Sequence, residues 1–398
     1  MGAKVKKKLL KLAFPLEFNT QKNISINSSE HTKGINLLGY ARAEMGIGES
    51  CRLAARSLNA VNYPFGIINF VGTNSSRMTD QSWAHKEIKE PIYNVNIFHI
   101  NAEQMMEVYA HYGSKIFKDR YNIGYWHWEL PDFPDEWLEG FNFVNEVWVP
   151  SDFVANSIAL KSPVPVVKIP HGIEVKLTKK STRIDFSLPE QTFLFLTMYD
   201  VKSYQARKNP KASIDAFKLA FQPDNMNVGL VVKINNANSN LHELQSVYDM
   251  IDDYKNIYII KETLSRDATN ELINITDSYI SLHRSEGFGL GLAEAMYLGK
   301  PSIGTNWSSN TDFMTNTNSC LVNYNLVSVG TDNGPYKAYQ HWAEPDIEHA
   351  SHYMKLLVTD SDYYMTISSQ GEKCIKENFS PTVIGEMIKK RLEYLKLQ

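Results

Sequence analysis

Two carboxylates and a cluster of glycines give this chain its clearest candidate for chemistry. The stretch reads Ser285-Glu286-Gly287-Phe288-Gly289-Leu290-Gly291-Leu292-Ala293-Glu294-Ala295-Met296, with seven residues between Glu286 and Glu294. The apolar run Tyr279 to Leu282 predicts a buried strand leading in. Leu290 to Leu298 predicts a short helix leading out, stopped by Gly299 and Pro301, with a further strand over Ser302 to Thr305. Glycines at a strand-to-helix turn leave backbone amides and the positive helix end facing outward together, a geometry that suits a phosphate. From local physics alone, Glu286 reads equally as a helix-capping acid and Glu294 as a solvent-facing one.

Such a turn needs a sheet behind it and cations beside it. Upstream, Thr192 to Met198 predicts a strand and Tyr199 to Asn209 a polar loop carrying Lys202, Arg207 and Lys208. Pro210 then opens a helix, at the favoured first-turn position. Val228 to Ile234 and Asn256 to Ile260 add strands, and Asp267 to Thr276 a helix. Basic residues between a strand and a helix point to the same carboxyl edge of a sheet, where ligands of α/β folds collect.

The first half has the same layout. Gly34 to Leu38 predicts a strand, followed by Gly39, Gly46-Ile47-Gly48 and a helix from Glu49. Gly46 and Gly48 read as a phosphate-facing loop or as a tight turn only. Apolar runs at Gly66 to Val71, Val95 to Ile100, Ile123 to Trp128 and Glu146 to Val149, with helical segments between, predict a parallel sheet covered on both faces. One strand ends in Tyr125-Trp126-His127-Trp128-Glu129. Aromatic faces beside hydrogen-bonding groups suit a sugar, and they suit a core equally well. Val164 to Ile169 is a last short strand, broken by Pro170-His171-Gly172, and the polar segment Lys176 to Ser187 reads as an inter-domain linker. Asn316 to Pro335, rich in Asn, Gly and Thr, predicts a long loop, and Pro381 to Leu397 a final helix.

At 398 residues the chain exceeds one typical core, and two domains of about 150–200 residues are expected. A hydrophobic share of 43% supports globular packing, and a net charge of -3 argues against a general nucleic-acid binder. Cys51, Cys320 and Cys374 are scattered without metal spacing, which fits a reducing, cytoplasmic compartment. Met1 to Lys11 carries five lysines and no acid. It reads either as a peripheral contact with an anionic membrane or as a solvated basic tail. Asp360-Ser361-Asp362 has the spacing of a metal-binding pair but no strand end to present it, so it reads as surface charge.

With these residues in place, the chain resembles the retaining glycosyltransferases of family 4, whose Glu-x7-Glu motif lies in a Glu-Gly-Phe-Gly turn followed by Glu-Ala-Met. Gly299-Lys300-Pro301, Val149-Pro150-Ser151, Ile169-Pro170-His171-Gly172, Lys208 with its basic neighbour and Phe379-Ser380 also match, over roughly residues 35 to 395. The resemblance implies α/β GT-B architecture, two Rossmann-like domains facing across a cleft. It places an acceptor-side domain at 1–175 and a donor-binding domain at 176–379, with the last helix, about 380–398, packing back on the first. It implies transfer from a nucleotide diphosphate sugar to a glycan or lipid-linked acceptor of the cell surface, without a metal or other cofactor. Glu286, His127, Lys208 and Arg207 would be catalytic. Glu294, Gly287, Phe288, Gly289, Leu290, Lys261 and Leu264 would hold the donor, and Gly46 and Gly48 the acceptor or phosphate. Lys202 is an alternative to Arg207, because the family usually separates its two basic residues. A non-catalytic nucleotide-sugar-binding partner protein and a sugar-nucleotide 2-epimerase are the other readings.

Overall fold

The computed structural model describes residues 31–72, 74 and 76–398, so the basic segment Met1 to Lys11 lies outside the described residues. The chain forms two compact units. One contains the described residues up to Trp128, Asp132–Gly172 and Phe379–Gln398, and the other Glu129–Pro131 and Ile173–Asn378.

The first unit runs β1 (Thr32–Gly39), α1 (Gly46–Ala60), β2 (Phe65–Asn69), β3 (Tyr93–His99), α2 (Met105–Tyr112), β4 (Tyr121–Tyr125), β5 (Glu146–Val149), α3 (Asp152–Ala159) and β6 (Val166–Lys168). Its six strands are all parallel, in the order β2-β1-β3-β4-β5-β6. A parallel sheet is covered on both faces, which is why β1 and β3 are buried on both sides, Asn36, Asn94 and Asn96 included. Two connections differ from the expected alternation. Among the described residues between β2 and β3 there is only a short 3-10 turn at Ala84–Lys86, and between β4 and β5 a 3-10 segment, Asp135–Phe143. Aromatic packing, not helical periodicity, orders the second of these: Phe133 and Phe141 lie against Trp126, with ring centroids 6.3 and 5.0 Å away.

The second unit runs β7 (Phe193–Asp200), α4 (Gln205–Lys208), α5 (Pro210–Ala220), β8 (Val228–Asn235), α6 (Leu241–Ile251), β9 (Ile257–Ile260), α7 (Arg266–Ile275), β10 (Ser278–Ser281), α8 (Leu290–Tyr297), β11 (Ser302–Thr305), β12 (Cys320–Val322), β13 (Tyr324–Ser328), β14 (His341–Pro345), α9 (Ile347–Thr359) and α10 (Ser361–Asn378). Six parallel strands order as β12-β11-β10-β7-β8-β9. The expected long loop after Asn316 instead contains β12 and β13. β13 pairs antiparallel with β14, a cross-strand partner too distant in sequence for local composition to reveal.

The last helix, α11 (Pro381–Tyr394), belongs to the first unit. Ser380 caps it, its side chain accepting from the Val383 amide, and Pro381 fills the first turn. Its apolar face, Ile384, Ile388 and Leu392, joins Cys51, Ala55 and Leu58 of α1 over Ile35, Val95 and Ile97 of the sheet. Arg391 donates through Nε to Glu146 Oε1 at 3.0 Å, and Asn94 Nδ2 donates to the Leu397 carbonyl at 2.9 Å. The second core centres on Phe195, Phe217, Val232, Ile280 and Ile303, closed by Met354 and Leu357 of α9.

Candidate functional site

In the second sheet β7 and β10 are neighbours, yet the chain leaves them in opposite directions, from β7 toward β8 and β9 and from β10 toward β11 and β12. Diverging connections leave a crevice at the carboxyl ends of those two strands. Both candidate motifs arrive there.

After β10 the chain turns through Glu286 and enters α8. Gly289 caps α8 with φ 95°, a conformation strained for any residue with a Cβ, and it has no side chain to occupy the leading amides. Phe288 anchors the turn against Phe313, with ring centroids 5.3 Å apart. After β7 the chain enters four-residue α4, bracketed by Tyr204 (φ 59°) and Asn209 (φ 49°). Positive φ on both flanks is costly and persists only where the surroundings hold it. Here it presents Arg207 and Lys208.

The cations and Glu286 come together. Lys208 Nζ donates to Glu286 Oε1 at 2.6 Å, and Arg207 Nη1 donates to Glu286 Oε2 at 3.2 Å and to the Ser285 carbonyl at 2.7 Å. The Glu286 amide donates to Ser308 Oγ at 2.8 Å. Arg207 and Glu286 are only 5% and 8% exposed. Burial alone would push the Glu286 carboxyl up. Lys208 and Arg207, with His283, outweigh it and hold the group down to about 2. Burial likewise opposes the Arg207 charge, but Tyr336, Glu129 and Glu286 raise that guanidinium above its ordinary value. Lys202 is exposed, its backbone amide donating to Asp200 Oδ1 at 2.8 Å.

Glu294 sits one helical turn into α8, where Arg266 at the head of α7 donates to its Oε1. Lys261, exposed, and Leu264, half-buried, lie between β9 and α7, in the loop that delivers Arg266. Arg266 and Ser308 are partners that sequence spacing did not announce. Asp360 accepts from the Tyr363 amide at 2.9 Å at the start of α10, so its carboxylate works as a helix cap. Among the described residues, no group of His, Cys, Asp and Glu is arranged to hold a metal ion.

The first sheet has its own divergence, between β1 and β3. Gly46 and Gly48 open α1 there. A Cβ on Gly48 would lie 2.3 Å from the Ala43 carbonyl oxygen, so Gly48 permits a close backbone approach, while Gly46 faces open space. Arg52 Nη1 braces this turn by donating to the carbonyls of Ala41 and Ala43, both at 2.9 Å. Ser50 Oγ lies 3.0 Å from His99 Nδ1 at the end of β3.

Within the Trp-His-Trp cluster, Trp126 and Trp128 are fully buried core residues and His127 is half-buried. The His127 amide donates to Asn101 Oδ1 at 2.9 Å, and its Nε2 lies 3.1 Å from His171 Nε2. Burial pushes His127 down to about 4. Burial, with His127 adding to it, pushes His99 down to about 3. His171 is driven well below its ordinary value by burial and by its histidine neighbours. All three are neutral near pH 7.

Residues 183–328 match the sequence model of the family described as glycosyl transferases group 1. Solved structures match most of the chain. A glycosyltransferase from Rickettsia africae is 14% identical at TM-score 0.67, covering 92% of this chain and 100% of its own. A sucrose-phosphate synthase from Thermosynechococcus elongatus is 12% identical at TM-score 0.67, covering 92% and 99%. The fold is GT-B. Anabaena HepE in complex with UDP-glucose is a further match, 14% identical at TM-score 0.66, covering 91% and 100%. No curated protein matches the sequence. No helix of the described residues is long and apolar enough to cross a membrane.

Proposed function

We propose that the protein is a retaining glycosyltransferase of the family 4 type, moving a sugar from a nucleotide diphosphate sugar to a glycan or lipid-linked acceptor without a metal ion. One observation carries this reading: Glu286, Lys208 and Arg207 converge at the strand-order switch beside the open N-terminus of α8. The family model covers that same segment.

The departing diphosphate takes Lys208 and Arg207 as counter-charges. The guanidinium can clasp two oxygens and the ammonium supplies a point charge. The turn from Gly287 to Leu290 adds backbone amides where negative charge develops. Glu294 accepts from the vicinal ribose hydroxyls, and Lys261 to Leu264 border the base. Glu286 orients hydroxyls of the donor sugar and stabilises the positive charge growing at its anomeric carbon. The bond from that carbon to the phosphate oxygen breaks, and the acceptor oxygen bonds to the same face. The acceptor proton passes to the departing phosphate oxygen, so no protein base is consumed.

HepE is described with UDP-glucose, so uridine diphosphate sugars are the first donors to test. Proton NMR of the product should show the donor's anomeric configuration kept, and chelator should leave the rate unchanged. An inverted centre would contradict the mechanism, and a strict need for Mn²⁺ or Mg²⁺ would contradict the assignment of Lys208 and Arg207. Donor binding without any transfer would favour the non-catalytic reading.

A further inference from the structure

Four rings stack in the first unit. His99 lies on Tyr125 with centroids 4.6 Å apart, Tyr125 on His171 at 5.4 Å, and His171 on His127 at 5.3 Å, with interplanar angles of 22°, 29° and 22°. Their hydrogen bonds run in one direction. Tyr125 Oη lies 2.6 Å from the Ile169 carbonyl oxygen, which can only accept, so the phenol proton is committed there. Burial holds that phenol well above its ordinary range, so it keeps its proton. The phenol oxygen is then the acceptor toward His171 Nδ1, 3.3 Å away. A neutral His171 with its proton on Nδ1 has a lone pair on Nε2. Across the 3.1 Å contact His127 Nε2 must therefore be the donor. His127 Nδ1 is left as a lone pair, and it is a buried atom with no hydrogen-bond partner. A buried unsatisfied acceptor is unfavourable unless a donor meets it.

We propose that Tyr125 and His171 are positioning residues that hold His127 with its proton on Nε2, so that Nδ1 accepts a hydrogen bond from a sugar hydroxyl. The sugar as ligand rests on the glycosyl-transfer reading, whereas the tautomer rests on the geometry alone. The assignment sets what His127 can meet. In this state Nδ1 cannot donate to a phosphate oxygen, and it favours an O–H group over an anion.

The test uses the full chain labelled with 15N-histidine at neutral pH, its His127 signals identified by their loss in His127→Asn. Two-bond proton–nitrogen spectra should show a protonated Nε2 and a bare Nδ1. Tyr125→Phe keeps the ring stack but removes the acceptor for His171, and it should move His127 toward the other tautomer. His171→Gln, which can still accept and donate, should preserve the wild-type tautomer, and His171→Leu should not. A proton on Nδ1 in the wild type, or a spectrum unmoved by Tyr125→Phe, overturns the proposal. With whichever nucleotide sugar the protein turns over, Tyr125→Phe should lower kcat about tenfold, the scale of one lost hydrogen bond, with donor KM changed less than about twofold. An unchanged kcat overturns the positioning role. If no nucleotide sugar binds, the sugar assignment falls with the glycosyl-transfer reading, while the spectra still decide the tautomer.

Discussion

The two sheets solve the same topological problem with opposite chemistry. Each leaves a crevice where its strand order diverges, between β1 and β3 in one unit and between β7 and β10 in the other. The second fills that edge with charge: a buried carboxylate between an arginine and a lysine, beside glycine-capped α8. The first fills it with neutral rings, His99, Tyr125, His171 and His127, and braces its glycine turn with Arg52. Neither strand-to-helix turn has a side chain capping its helix, so what separates them is the cation beside each. At α8, Lys208 and Arg207 meet the Glu286 carboxylate, whereas at α1 Arg52 is held by the carbonyls of its own turn.

Opening the charged edge should give the largest effect. Lys208→Met leaves Glu286 with one buried partner and should slow transfer about a hundredfold or more at saturating donor. Glu286→Gln should do at least as much, and lower stability as well, since breaking a buried pair costs about 3–5 kcal/mol. Steady-state rates and thermal melts check both. An unimpaired rate in either variant would remove the contrast between the edges.

Next comes acid. His99 and His127 fall to about 3 and 4 in the folded chain. The unfolded chain binds those protons first, so their contribution to stability is complete above about pH 6.5 and is lost as pH falls toward 3–4. Glu286, held at about 2, loses its contribution only between about pH 4.5 and 2. Hydrogen exchange during acidification should open β3 and β4 at a higher pH than β10 and α8. Opening in the reverse order would contradict the assignment of a neutral edge and an ionic one.

Much of the charged edge was legible because it is local. Glu286, Gly289 and Glu294 lie on one strand-turn-helix, and Arg207 and Lys208 on another, so periodicity and turn chemistry place them. What escaped depends on contacts between distant residues. Arg266 reaches Glu294 from another helix, and His171 reaches His127 from 44 residues away. β13 needs β14 as a partner. The tryptophans beside His127 were ambiguous in sequence because a sugar platform and a core use the same rings, and burial assigns them to the core.

The smallest effect tests the reading of Asp360-Ser361-Asp362. Asp360→Ala removes a helix cap and should cost about 1 kcal/mol in a denaturant melt with transfer unchanged. A loss of transfer that metal restored would reassign the acidic pair.

The central claim is that the charged edge holds a nucleotide sugar through Glu294 as well as the phosphate cations. Titration calorimetry with a panel of uridine, guanosine and adenosine diphosphate sugars, run on the wild type and Glu294→Ala, tests it most directly. The account predicts that at least one donor binds the wild type and binds Glu294→Ala about tenfold or more weakly. Binding by none of them, or equal binding by both proteins, would contradict it.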